Sequence, residues 1–170
     1  MRRVILGMTA ALTLAACSHG PGAVEPPIPP VPFRVETITY ETSACKGSCP
    51  VYRVSVSSDG TGVFTGIAHV AVIGERRFTV TPGQFAAFRD RLKPSMPERG
   101  ELLYAPGTPL CAREATDLPS VDVVWTRPPQ TRSRLFVYYG CIVGTDTKLG
   151  AEVGNAVDAL PLEHLIGEIP

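Results

Sequence analysis

Two cysteines, Cys45 and Cys49, bracket Lys46-Gly47-Ser48 and are followed by Pro50, Val51 and Tyr52. A thiol pair beside a glycine is able to exchange disulfides, so the first chemistry to weigh is redox. The spacing opposes it. Thioredoxin-like sites set Cys-x-x-Cys at a helix N-terminus, where the helix lowers the thiol pKa. Here there is one residue more, and Pro50 leads into a strand, so a structural disulfide is the better reading.

Other reactive residue types are scattered. Metal sites need His, Cys or carboxylates at ligand spacing, whereas His19, His69 and His164 stand far apart. No cofactor or metal is expected. Ser48 lacks the Gly-x-Ser-x-Gly context of a nucleophile elbow and reads as a turn residue. Gly60, Gly62 and Gly66 have hairpin spacing, which is not that of a phosphate-binding loop. Asp117, after Thr116, reads as a turn cap, and Asp122 lies at the next strand. Arg76, Arg77, Arg127, Arg132 and Arg134 fall at expected hairpin ends, where solvated turns explain them better than an anion-binding patch. The sequence therefore contains no catalytic constellation.

The N-terminus bears on compartment. Arg2 and Arg3 precede an apolar run from Val4 to Leu14 that ends Leu14-Ala15-Ala16-Cys17, the pattern of a signal peptide over residues 1–16. The run is too short for a bilayer core, which needs about 20 residues. The Leu-Ala-Ala-Cys ending resembles the lipobox of bacterial lipoproteins. That resemblance implies that Cys17 is acylated and becomes the first residue of the mature chain, anchored stably if it carries more than one acyl chain. Ser18 is not the aspartate associated with inner-membrane retention, so the resemblance implies an outer-membrane anchor facing the periplasm.

Removal of residues 1–16 leaves 14 basic against 16 acidic side chains, a net of −2, and gives no basis for a nucleic-acid partner. Residues 17–32 comprise the lipidated cysteine and the tether Pro26-Pro27-Ile28-Pro29-Pro30-Val31-Pro32. A proline-rich tether extends about 3.1 Å per residue, enough to hold a domain roughly 45 Å from the lipid. Residues 33–170 are expected to form one α+β domain: an antiparallel sheet of about six strands built from hairpins, with two helices packed on one face.

A strand is expected from near Phe33 to Glu41, with Ile38 and Tyr40 on one face. After the cysteine loop, Tyr52, Val54 and Val56 alternate with Arg53, Ser55 and Ser57. Asp59-Gly60 is a strong hairpin signal. A two-residue loop there predicts Val56 opposite Val63, Val54 opposite Thr65 and Tyr52 opposite Ile67, with Ser55 opposite Phe64 on the other side. Gly62 and Gly66 in the returning strand predict a bulge or a close backbone approach. This strand is read through Val70 and Val72 to a turn at Gly74-Glu75, followed by a strand with Phe78 and Val80.

Thr81-Pro82-Gly83-Gln84 predicts a capped helix with Phe85, Phe88 and Leu92 as its core stripe, ending at Lys93 before Pro94. Irregular structure is expected from Ser95 to Leu118. Next comes a hairpin of Val121, Val123 and Trp125 against Leu135, Val137 and Tyr139 around Arg127-Pro128-Pro129-Gln130. A last helix is expected over Thr147–Leu160, followed by a loosely packed tail containing Leu165 and Ile166.

With Cys17 acylated, the other four cysteines of an exported chain pair as disulfides, in one of three connectivities. Cys45–Cys49 and Cys111–Cys141 are preferred, because the first pair is near enough in sequence to meet in a tight loop.

From Cys45 to Gly60 the sequence resembles a bacterial family of domains of unknown function found in secreted proteins and lipoproteins. The shared features are Cys45, Cys49, Pro50, Tyr52, Asp59, Gly60, Phe64 and the pair Thr116-Asp117, over roughly residues 35–160. The resemblance supports the domain limits and carries over no catalytic residue. The expected function is a non-enzymatic envelope module that engages a protein or envelope polymer, with the membrane bound through Cys17. Two alternatives are a thiol-disulfide protein using Cys45 and Cys49, and an inhibitor of an extracellular hydrolase.

Overall fold

The computed structural model describes residues 35–129, 131–142 and 146–167. The expected signal peptide, Cys17, the proline-rich tether and the first residues of the expected domain lie outside the described residues. So does Gln130 of the second hairpin turn.

The chain runs β1 (Thr37–Thr42), β2 (Val51–Ser57), β3 (Thr61–Ala68), β4 (Gly74–Thr79), α1 (Pro82–Leu92), β5 (Gly100–Tyr104), β6 (Ser120–Arg127), β7 (Thr131–Tyr138), α2 (Thr147–Gly154) and α3 (Glu163–Ile166), with short 3-10 turns at Lys93–Ser95, Tyr139–Cys141 and Asn155–Ala159. Among the described residues the fold is α+β, with seven strands in the order β4-β3-β2-β1-β6-β7-β5. All pairings are antiparallel except β5 with β7.

Alternation decides the faces. Ile38 and Tyr40 of β1, Val54 and Val56 of β2, Val123 and Trp125 of β6, and Leu135 and Val137 of β7 all point to one side and are buried. Phe88 of α1 meets Tyr40 edge-on, and the Tyr40 hydroxyl donates to the Val153 carbonyl of α2 at 3.3 Å. These two helices therefore cover the apolar side. The opposite side of the sheet carries Thr39 against Ser55, Glu41 ion-paired with Arg53 at 2.6 Å, and Arg134 gripping Asp122 through two guanidinium nitrogens.

Helix α1 follows local chemistry. Gln84 N–H donates to the Thr81 hydroxyl and Thr81 N–H donates to the Gln84 side chain, a reciprocal cap with Pro82 at the first helical position. Phe85, Phe88 and Leu92 are buried.

The expected register of the first hairpin is off by one. Val56 lies opposite Gly62, Val54 opposite Phe64, Tyr52 opposite Gly66 and Ser55 opposite Val63. The connection is the three residues Ser58-Asp59-Gly60: Gly60 sits at φ +90°, Gly60 N–H donates to the Ser57 carbonyl and Thr61 N–H to the Asp59 carboxylate. Because side chains alternate with period two, a one-residue slip exchanges the faces. The slip buries Phe64 completely, stacked on Tyr52 at 5.5 Å between centroids, and leaves Ile67 52% exposed. An aromatic ring has the larger area to remove from water, so its burial selects this register. Gly62 and Gly66 follow from it as sites of close approach. A Cβ on Gly62 would lie 2.6 Å from the Phe78 ring, and one on Gly66 would strike the Val72 carbonyl.

Four further expectations change. Strand β3 stops at Ala68, and Val70 and Val72 belong to the turn before β4. A seventh strand, β5, lies inside the stretch expected to be irregular. It pairs in parallel with β7, Leu102 opposite Leu135 and Tyr104 opposite Val137, so its partner is distant in sequence and no hairpin signal announces it. The helix expected over Thr147–Leu160 leaves α geometry at Gly154 and continues as a 3-10 turn. Glycine is a weak helix former, and a Cβ at Gly154 would come within 2.8 Å of the Tyr139 hydroxyl oxygen. The tail is part of the core: Leu162 and Leu165 are buried, and α3 accepts hydrogen bonds from Ala71 and Val72.

Candidate functional site

Cys45 is bonded to Cys49, and Cys111 to Cys141. The first bond closes the excursion between β1 and β2. Thr42 bridges the break in the ladder, accepting from Tyr52 N–H at 3.0 Å and donating to the Pro50 carbonyl at 2.8 Å. Hydrogen bonds hold the loop to the first residue of β6 and the turn before it: Ser43 N–H donates to the Ser120 carbonyl, Ser120 N–H to the Ser43 hydroxyl, and Lys46 N–H to the Asp117 carbonyl. Asp117 stands at φ +69°, with Thr116 donating to its carboxylate, so this pair shapes a turn that receives the cysteine loop. Pro50 leads directly into β2, so the Cys45–Cys49 loop does not itself open a helix.

Beside this loop lies a cleft of about 300 Å³, at the small end of the roughly 300–1,000 Å³ of ligand pockets. Its floor is Tyr40 and Tyr52, whose rings stack at 6.3 Å between centroids and 24° between planes. Cys49 and Pro50 form one wall. Val121 and Tyr139 form another, and Asn155, Val157 and Asp158 a third. Tyr139 stands in the turn after β7, held by its N–H to the Pro119 carbonyl, and its hydroxyl donates to the Gly150 carbonyl at 3.3 Å.

Burial pushes the phenols of Tyr40, Tyr52 and Tyr139 up from their ordinary value near 10. The Asp158 carboxylate adds to that rise at Tyr52, and at Tyr40 the neighbouring phenols and Asp158 all contribute. The three phenols are therefore neutral throughout the physiological range. A folded-state pKa above the unfolded one gives stability that is present below pH about 10 and is lost as pH rises through the raised values. An alkaline titration followed by tyrosinate absorbance and circular dichroism should show three phenols ionising only together with loss of the fold. Ionisation of all five tyrosines ahead of unfolding would refute the burial of the cleft floor.

Of the residues singled out from sequence, Cys49, Pro50 and Tyr52 line the cleft. Asp59 and Gly60 make the remote hairpin turn, while Cys111 and Cys141 fasten the segment before β6 to the turn carrying Tyr139. Ser48, His69 and His164 are exposed. Among the described residues, no group of three or more His, Cys, Asp or Glu could hold a metal ion. The arginines do not gather. Arg76 and Arg77 lie on edge strand β4, while Arg132 and Arg134 lie on β7, with four strands between. Arg134 is occupied by Asp122, with Glu101 at 3.5 Å. Sequence reading missed Asp158 and Asn155 and took Tyr40 and Tyr139 as strand residues only. These four share a cleft through folding alone, and no spacing links them.

Sheet, covering helices and disulfide-fastened cleft define a one-sided α+β domain stapled by cystines. Residues 36–156 match the family model DUF6438, a domain of unknown function, and the chain belongs to that family. No curated protein and no solved structure gives a significant match.

Proposed function

We propose that this is a lipid-anchored cell-envelope protein, held by acylated Cys17 in the outer membrane and facing the periplasm. In this reading its domain is a non-enzymatic module that engages an envelope protein or polymer through the cleft beside the cysteine loop. The observation that carries the reading is the cleft itself: a preformed concavity floored by two stacked aromatic rings, with few polar groups converging on it, the usual character of a recognition site. The Leu14-Ala15-Ala16-Cys17 ending and the proline-rich tether supply anchor and reach. The test is a pair of experiments in a Gram-negative host. Cys17→Ala should move the protein from the membrane fraction to the soluble fraction. A photo-crosslinking residue placed at Asn155 on the cleft rim should capture a discrete adduct in cells, while one at Thr39 on the polar sheet face should not. Unchanged fractionation sinks the anchor, and equal labelling from both positions sinks the cleft as the contact site.

A further inference from the structure

The formal charge on the cleft, whose role as a binding site is the reading above, is all of one sign. Asp158 is the only acidic side chain among the described residues that line it, and no lysine, arginine or histidine does so. Asp158 is exposed at the mouth, and no side chain or backbone group among the described residues donates to it or pairs with it. The hydroxyl protons of Tyr40 and Tyr139 are already given to the carbonyls of Val153 and Gly150. Each of these phenol oxygens is thus left with lone pairs and no proton to offer. Carboxylate and phenols sit close enough for Asp158 and Tyr139 to oppose ionisation of Tyr52.

We infer that the cleft is a receptor for a primary alkylammonium group with a methylene stem. Such a group carries three N–H donors and no acceptor, the complement of two committed phenol oxygens and an unpaired carboxylate. The apolar walls, Pro50, Val121, Val157 and Ile166, suit the stem, as they would for a lysine side chain whose methylenes bury while its head stays polar. A lysine of a partner protein and a free diamine share this chemistry.

The test is a nuclear magnetic resonance titration of the full chain, ¹⁵N-labelled in a non-ionic maltoside detergent. The probes are Nα-acetyl-lysine methylamide, its neutral isostere Nα-acetyl-norleucine methylamide, Nα-acetyl-arginine methylamide, and putrescine. The lysine derivative should shift the amides of Tyr52, Asn155 and Val157 saturably, with the norleucine derivative at least about tenfold weaker. Asp158→Asn, at an exposed position without partners, should reduce the lysine derivative to the norleucine level while leaving the thermal midpoint unchanged. Putrescine binding more tightly than the lysine derivative assigns the site to a free amine, and weaker binding assigns it to a peptide lysine. The inference is overturned by equal binding of lysine and norleucine derivatives, by tighter binding of the arginine derivative, or by no saturable shift at these amides. Equal binding at these amides removes the charge requirement and leaves the cleft as a binding site. Ammonium binding without an adduct from Asn155 in cells removes the partner reading and leaves the receptor.

Discussion

Phe88→Ala is expected to destabilise the domain by about 3–5 kcal/mol, a large fraction of the stability of an ordinary domain. Phe88 is fully buried on α1, and its ring meets Tyr40 edge-on at 6.3 Å between centroids and 65° between planes. Truncation loses the transfer free energy of the ring, opens a cavity between helix and sheet, and removes an aromatic pair worth about 0.5–1.5 kcal/mol beyond its area. Close-packed interiors refill such space only in part. Phe88→Leu retains most of the volume and should cost clearly less. Equilibrium urea unfolding of the three proteins checks this. A loss below about 1 kcal/mol for Phe88→Ala would mean that α1 does not pack on β1 as described. The change also reaches the cleft, because the ring Phe88 supports is its floor.

The second large effect concerns the Cys111–Cys141 bond. Its partners are separated by 30 residues, and closing a loop of that length removes denatured-chain entropy worth about 3–4 kcal/mol in the chain-entropy account. The double variant Cys111→Ala/Cys141→Ala should lose that amount. Cys45→Ala/Cys49→Ala, whose partners are separated by only 4 residues, should lose about 2 kcal/mol. Unfolding midpoints of the two variants, compared without reductant, give the order. The reverse order would show that the short bond carries native packing that the loop-entropy argument does not contain. Loss of the longer bond should also loosen Tyr139, which stands two residues before Cys141. The neighbouring anchors, Ala115 N–H to the Gly140 carbonyl and the Tyr138 hydroxyl to the Ala115 carbonyl, remain but lose their covalent clamp.

What was legible from sequence was what neighbours in the chain decide among themselves. The α1 cap is an exchange between Thr81 and Gln84, three residues apart. The end of α1 is softer than Pro94 predicts, because Lys93 keeps αR geometry and the chain continues as a 3-10 turn over Lys93–Ser95. The alternation of Tyr52, Val54 and Val56 marks a half-buried strand because β periodicity is a local property. The presence of a hairpin at Asp59-Gly60 was legible for the same reason.

Its register was not. Two- and three-residue loops both accommodate Asp-Gly, and the choice falls to Phe64, whose burial requires Gly62 and Gly66 to leave room for Phe78 and for the Val70–Val72 turn. Strand β5 escaped notice because a parallel partner lies beyond any turn signal. The helix beginning at Thr147 looked continuous because the Tyr139 ring, which packs on Gly150 and Gly154 from the turn after β7, leaves no mark in the sequence around those glycines.

The sequence by itself determined the closeness of Cys45 to Cys49, the polarity of the two faces of β1, β2, β6 and β7, and the helix start at Thr81. Tertiary structure alone decided the register of the first hairpin and the gathering of Tyr40, Tyr52, Tyr139 and Asp158 into one cleft. The physical reason is that caps, turns and alternation are settled by interactions within a few residues. Burial of a ring, or convergence of donors and acceptors, depends on surfaces that exist only once the sheet has closed against its helices.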